Sequence, residues 1–229
     1  MARLQRRILI GAVVAAILIA IAAVVLPRTQ VFAVEEIAVE GAVQLSPEEV
    51  EAATGIVNGT PIGAVNTHDA AVGVAGLPWV ESVTVTRSWP SKIKIELVEH
   101  TAVAFVSEPD GSHLINAQGE VFAVDDPPAG AVEITGAAAR DGAALSGAMG
   151  VVSSISGPSR EAVASIEARS PNTFVLKLKD GRTVVWGASE NNANKALALE
   201  TVLQREGQEF NISNPQQVTV REGRGKTPG

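Results

Sequence analysis

The sequence predicts an α+β protein: one N-terminal transmembrane helix, a small β-α-α-β-β unit, then a β-rich domain with a helix near its C-terminal end. Three observations carry this. Ile8 to Leu26 is an uninterrupted apolar run of 19 residues behind Arg3, Arg6 and Arg7. Between Val34 and Glu99 the strand, helix and turn signals follow one another in the order β-α-α-β-β. Farther on, alternating strands flank Asp180-Gly181, a helical stripe covers Lys195 to Leu203, and two short strands end the chain.

The apolar run, marked at its start, middle and end by Ile8, Leu18 and Leu26, contains no side chain more polar than Gly11. At about 1.5 Å per residue it extends roughly 28 Å, close to the hydrocarbon thickness of a bilayer. A segment in lipid satisfies its backbone hydrogen bonds internally, so it is a helix. Three arginines precede it, and only Arg28 is basic between its end and Arg87. That asymmetry keeps the N-terminus cytoplasmic and exports the rest. A cleaved signal peptide is the other reading, because Val31-Phe32-Ala33 resembles a small-x-small cleavage site. Signal cores are typically about 7–15 residues, and this run is longer, which favours a retained anchor. The segments are then a tail 1–7, an anchor 8–26, a connector 27–33, a first domain 34–99, a second 100–220 and a disordered tail 221–229.

Residues 1–30 hold four arginines and no acid, so the exported part carries 14 basic and 25 acidic residues, net −11. Such a surface repels phosphate backbones and argues against nucleic acid. It argues equally against polybasic docking on anionic lipid. Cysteine is absent, which excludes disulfides, thiol nucleophiles, Fe–S clusters and thiolate zinc sites. Tyrosine is absent as well, and so few aromatics make a poor surface for stacking sugars or bases.

Within the first domain, Glu36 to Gly41 alternates like a half-buried strand. Ser46-Pro47-Glu48-Glu49 supplies an N-cap, proline in the first turn and acids against the helix dipole. Val50 and Ala53 point inward in this helix, and Gly55 ends it. A second helix, capped by Asn66 or Thr67, runs to Ala75 with Val72 on its inner face. Val80 to Ser88 and Lys92 to Val98 then alternate as a hairpin around Trp89-Pro90-Ser91.

These residues resemble the POTRA domain of bacterial division proteins of the FtsQ/DivIB family. Leu77-Pro78-Trp79-Val80-Glu81 and the run from Val83 through Arg87, Trp89 and Pro90 to Glu99 carry the likeness, in the same setting of basic tail, single span and adjacent domain. Trp79 and Trp89 are apolar bodies at hairpin ends, and Pro90 cannot continue a ladder. Core packing is the favoured role for Trp89, and Arg87 reads as a solvated strand residue. The unit's open strand edge, or its Arg87/Trp89 end, is the candidate second interface. Downstream, Thr101 to Phe105, Leu114 to Phe122, Phe174 to Gly187, Lys195 to Leu203 and Asn211 to Pro215 resemble the family's remaining segments in order. His100, Ala102, Asn116 and Asn211 depart from the residues usual there. Asp180-Gly181 signals a two-residue turn. In the weakly patterned stretch 130–158, Asp141 to Ser154 keeps helical spacing despite three glycines, and Val163 to Ala168 reads as a strand.

No catalytic constellation is visible. His68, His100 and His113 are scattered over a helix, a strand and a hairpin, without metal-ligand spacing. Asp125-Asp126 before two prolines reads as loop punctuation rather than a glycosidase pair. Ser146 and Ser156 lack the G-x-S-x-G context of a nucleophile elbow. No cofactor is expected. The resemblance therefore implies a non-enzymatic, single-pass inner-membrane scaffold at the division septum. It implies binding of FtsB- and FtsL-type bitopic division proteins and regulation of septal peptidoglycan synthesis. In the family, partner docking maps to the terminal region, here Phe210, Asn211, Ile212, Ser213, Val218, Thr219 and Val220. A last strand commonly lies at a sheet edge with free N–H and C=O groups. An exported POTRA-containing assembly or secretion factor, and a membrane-tethered wall enzyme, are the alternative classes.

Overall fold

The computed structural model describes residues 2–25, 29–136 and 141–221, and the chain divides into two compact units, 1–100 and 101–229. Helix α1 spans Ala2–Val25. Its described side chains, residues 10–21, are all exposed and cover about 18 Å of helix. Among the described residues no helix is long and apolar enough to cross a membrane. Of the expected anchor residues, Leu18 is 60% exposed, whereas the Ile8 side chain and the whole of Leu26 lie outside the described residues.

Part of the expected connector belongs to the first unit's fabric. Gln30–Phe32 form a 3₁₀ turn, Ala33 bridges Pro61, and the Ile62 N–H donates to the Phe32 carbonyl at 2.8 Å. From there β1 (Glu36–Glu40), α2 (Pro47–Thr54), α3 (Thr67–Ala75), β2 (Val80–Ser88) and β3 (Lys92–Glu99) follow in chain order. The sheet order is β1-β3-β2, with β1 parallel and β2 antiparallel to the central strand. Ser46 starts α2 with a capping box: its Oγ accepts from the Glu49 N–H, and the Glu49 carboxylate accepts from the Ser46 N–H. Asn66 is the cap of α3.

Ile93, Ile95 and Leu97 point from β3 into a core closed by Val50, Ala70 and Val74. Val72 is instead 59% exposed. Ala70 and Val74, one turn apart, take the inner stripe, and a residue two places along lies roughly 200° around the helix. A bulge between Val80 and Ser82 shifts the alternation, so that Val80 and Val85 are both buried. Glu99, at the end of β3, accepts from the N–H groups of Val43, Gln44 and Leu45 at 3.0, 2.8 and 3.0 Å. Its carboxylate thereby shapes the loop leading into α2.

The second unit contains β4 (Ala104–Glu108), β5 (Gly111–Ile115), β6 (Val121–Val124), β7 (Val132–Thr135), α4 (Gly142–Ser154), α5 (Gly157–Glu161), β8 (Val163–Ser170), β9 (Thr173–Leu178), β10 (Thr183–Gly187), α6 (Asn192–Leu203), β11 (Glu209–Asn211) and β12 (Thr219–Arg221). All nine strands join one sheet, ordered β12-β11-β10-β9-β8-β7-β4-β5-β6. One face carries Ile166, Phe174, Leu176, Trp186 and Phe210 into a core completed by α4 and α6.

Two of the three glycines of α4, unfavourable for a helix in isolation, mark its closest approaches. A Cβ on Gly147 would lie 2.5 Å from Phe174 Cζ, and one on Gly150 2.8 Å from Ser189 Oγ. Asn116 fills the role expected of aspartate at the β5–β6 turn: its Oδ1 accepts from Gln118 and Glu120 N–H at 3.0 and 2.9 Å. The Asp180-Gly181 turn is a three-residue loop rather than a two-residue one. Leu178 N–H donates to the Arg182 carbonyl, and Gly181, at φ 89°, donates back to Leu178. Residues 222–229 of the expected tail lie outside the described residues, while Arg221 closes β12.

Candidate partner-docking edge

Among the described residues strand β12 pairs on one side only, antiparallel to β11, with Phe210 opposite Val220 and Asn211 opposite Thr219. Its three residues are all exposed, so the last strand of the chain is an open edge of the nine-stranded sheet. Alternate N–H and C=O groups of such an edge point away from the sheet and can extend it by another strand.

The seven terminal residues singled out in the sequence divide into two groups. Phe210 and Ile212 are fully buried in the core and cannot touch a partner. Strand β11 lies between β10, to which it is parallel, and β12, so its backbone is occupied on both sides. Asn211 turns its Oδ1 back on Ser213, accepting from that residue's N–H at 2.9 Å and Oγ at 2.7 Å. This local turn starts the loop to Pro215. Val218 is half-buried against the core, while Thr219 and Val220 are presented at the edge.

Beside the loop lies a groove of about 580 Å³ between the outer face of α6 and residues 214–216. Asn191, Asn194 and Thr201 line it with polar groups, and Leu197, 63% exposed, supplies the apolar contact. Leu199 and Val202 take the inward stripe, which leaves Leu197 on the outer face.

Two cations position these elements, and the chain's local patterns do not single them out. Arg182 closes the C-terminal end of α6: its guanidinium donates to the carbonyls of Val202, Leu203 and Arg205 at 3.1, 3.3 and 2.8 Å. It also pairs with Asp180 at 2.7 Å and lies 5.8 Å over the Phe210 ring. Helix end, turn and β11 are thereby tied through one side chain. The Arg182 backbone N–H, and then its guanidinium, hold the Asp180 carboxyl below its ordinary range. Lys195 is buried in the first turn of α6, its Nζ donating to the Ala188 carbonyl at 2.8 Å. Burial lowers its pKa, opposed by the nearby Glu190. The sequence signal for Lys195 was its place on the Leu199–Val202 stripe. For Arg182 there was none beyond its position after the turn.

The residues singled out in the first unit sit differently from expectation. Trp79 is buried, with its carbonyl accepting from His100 N–H at 2.8 Å. Trp89 is 53% exposed rather than in the core, since it lies past the last ladder pair, Ser88 with Lys92. It meets Phe32 edge-on, ring centres 6.1 Å apart, and joins Pro90 through a cis peptide bond. Arg87 is not merely solvated: its guanidinium donates to the carbonyls of Ile62 and Val65 and fastens the loop before α3. His68, His100 and His113 remain far apart in sequence and fold role, and His113 pairs with Asp110 at 2.9 Å. Among the described residues no cluster of three metal-ligating side chains occurs. Asp125 and Asp126 form a local turn in which Asp126 N–H donates to the Asp125 carboxylate.

A three-stranded sheet backed by two helices, followed in the chain by a mixed nine-stranded sheet, defines a POTRA-class protein with a second, β-rich unit. The family described as POTRA domain, FtsQ-type, matches residues 32–100, and that described as cell division protein FtsQ/DivIB, C-terminal, matches 104–221. The chain is 40% identical over 217 residues to the cell division protein FtsQ of Corynebacterium glutamicum, covering 93% of this chain and 97% of that one. To the cell division protein FtsQ of Mycobacteroides abscessus it is 34% identical over 195 residues, covering 84% of this chain but 63% of the relative. A solved extracytoplasmic domain of the division protein DivIB from Geobacillus stearothermophilus superposes with a TM-score of 0.37 at 18% identity, covering 47% of this chain and 97% of that one. At that score the likeness adds no weight. The chain belongs to the FtsQ/DivIB family of cell division proteins.

Proposed function

We propose that this chain is a bitopic scaffold of the division machinery without catalysis of its own. Residues 8–26 anchor it in the inner membrane with tail 1–7 in the cytoplasm, and the two following domains work outside at the septum. Its partners are bitopic division proteins of FtsB and FtsL type, and through them it influences septal peptidoglycan synthesis.

The observation that carries this reading is β12, three exposed residues on the unpaired margin of a nine-stranded sheet. A partner segment adding there gains main-chain hydrogen bonds, and the groove at Leu197 gives an adjoining side-chain contact. Phe210, Ile212 and Arg182 hold the edge in place from behind.

A bacterial two-hybrid assay against FtsB- and FtsL-like proteins, combined with fluorescence localisation in dividing cells, tests the proposal. Pairing with those proteins and enrichment at mid-cell are expected. Even distribution around the envelope with no pairing would overturn it.

A further inference from the structure

The hairpin tip of the first unit has an arrangement that the scaffold role does not use. Trp89 projects past the ladder, half-exposed, on Phe32, and Val31, which precedes Phe32 in the chain, is 75% exposed. The described charged groups near the tip are held by local partners, one ion pair and three hydrogen bonds to neutral groups. Lys92 pairs with Glu36 at 2.8 Å, Glu35 accepts from Ser91 Oγ at 3.1 Å, and Arg87 is committed to two backbone carbonyls. Beside them Trp89, Pro90 and Val31 present an exposed aromatic and apolar surface.

Covalent length says what meets it. Phe32 follows Leu26 by six residues, at most about 21 Å of extended chain. The 3₁₀ turn Gln30–Phe32 shortens this reach further. Phe32 is also locked to the unit: it packs on the core and accepts from Ile62 N–H. If residues 8–26 span the bilayer, as proposed above, the tip stays within a short tether of the headgroup layer. Tryptophan and phenylalanine prefer that layer, where a ring is shielded and an indole N–H finds an acceptor.

We propose that the tip formed by Trp89, Pro90, Phe32 and Val31 rests in the lipid headgroup layer and sets how the first unit stands on the membrane. This rests on the anchor reading. The lipid contact is apolar and aromatic rather than electrostatic, since the exported part carries net −11 and Trp89, Pro90, Phe32 and Val31 bear no charge. Zwitterionic lipid therefore suffices, and added anionic lipid does not strengthen it.

The test uses the full chain in phosphatidylcholine vesicles made with plain or brominated acyl chains, read by tryptophan emission. Trp79 and Trp186 are 9% and 0% exposed, so Trp89 is the tryptophan that lipid can quench. Brominated lipid is expected to lower the emission, and Trp89→Phe to abolish that difference while the protein stays folded by circular dichroism. An alkaline carbonate wash of the same vesicles checks the anchor separately. A chain retained through the wash but equally bright in both lipids overturns the tip contact and leaves the anchor standing. Washing off overturns both. Emission that changes with chain dilution but not with bromination would assign the tip to a second copy of this chain and overturn the lipid reading.

Discussion

Arg182 concentrates more of the second unit's geometry than any other single side chain described. Its guanidinium serves three carbonyls at the end of α6, the Asp180 carboxylate and the Phe210 face. Charged hydrogen bonds of this kind contribute about 1.5–3 kcal/mol, so Arg182→Ala is expected to lower unfolding free energy by roughly 2 kcal/mol in urea titration. Arg182→Lys is expected to recover little, because an ammonium lacks the planar fork that reaches several acceptors at once. In the first unit, Ser46→Ala removes the α2 cap and is expected to cost about 1 kcal/mol. Its partner adds a pH dependence. The Ser46 backbone N–H, and then its hydroxyl, hold the Glu49 carboxyl below its ordinary 4.5. A carboxyl lowered in the folded state stabilises fully above that ordinary value and stops doing so as pH falls through the lower, folded one. Acid melting curves of Glu49→Gln should show a shallower decline below about pH 4.5 than the parent chain.

Helix α4 sets propensity against packing, and two of its glycines, one at its start and one in its middle, answer differently. Gly142 has nothing within 4 Å of an added Cβ, so Gly142→Ala is expected to stabilise by roughly 0.4–1 kcal/mol. Gly147→Ala drives its methyl to 2.5 Å from Phe174 and is expected to destabilise by about 1–3 kcal/mol, measured in the same urea titration. The opposite ranking would mean that α4 does not sit on Phe174. Strand β12 allows a comparable pair. Successive N–H groups of a strand alternate between neighbour and open side, so of Thr219→Pro and Val220→Pro one strikes the β11 ladder and the other the free row. One of the two is expected to lose capture of an FtsB-like partner at an unchanged melting temperature. Full capture by both would remove the edge from partner binding.

At the scale of the whole chain, what could be read in advance follows the range of the interactions. Local hairpins and caps were legible, because β2 with β3, β9 with β10 and the Ser46 box are built from neighbours in sequence. Strand β7, only Val132–Thr135, was not: its partners β4 and β8 both pair with it in parallel from distant parts of the chain. Short α5, opening on Gly157-Pro158, carried too little apolar pattern to be seen. The proposed docking edge was half legible. Being last placed β12 at the margin, but nothing local showed that β11 runs parallel to β10 and is enclosed, so Phe210 and Ile212 were read as partner contacts although they are core. Trp89 was misread because an aromatic beside a turn fits a core or a surface equally until the layer over it is known.

The central claim is that a partner adds its strand to Thr219–Arg221. Amide hydrogen exchange of the full chain, with and without the extracytoplasmic part of an FtsB-like protein, tests it most directly. New protection in β12 on adding the partner, with β11 already protected in its absence, is the expected result. Exchange in β12 left unchanged while protection arises elsewhere would contradict it.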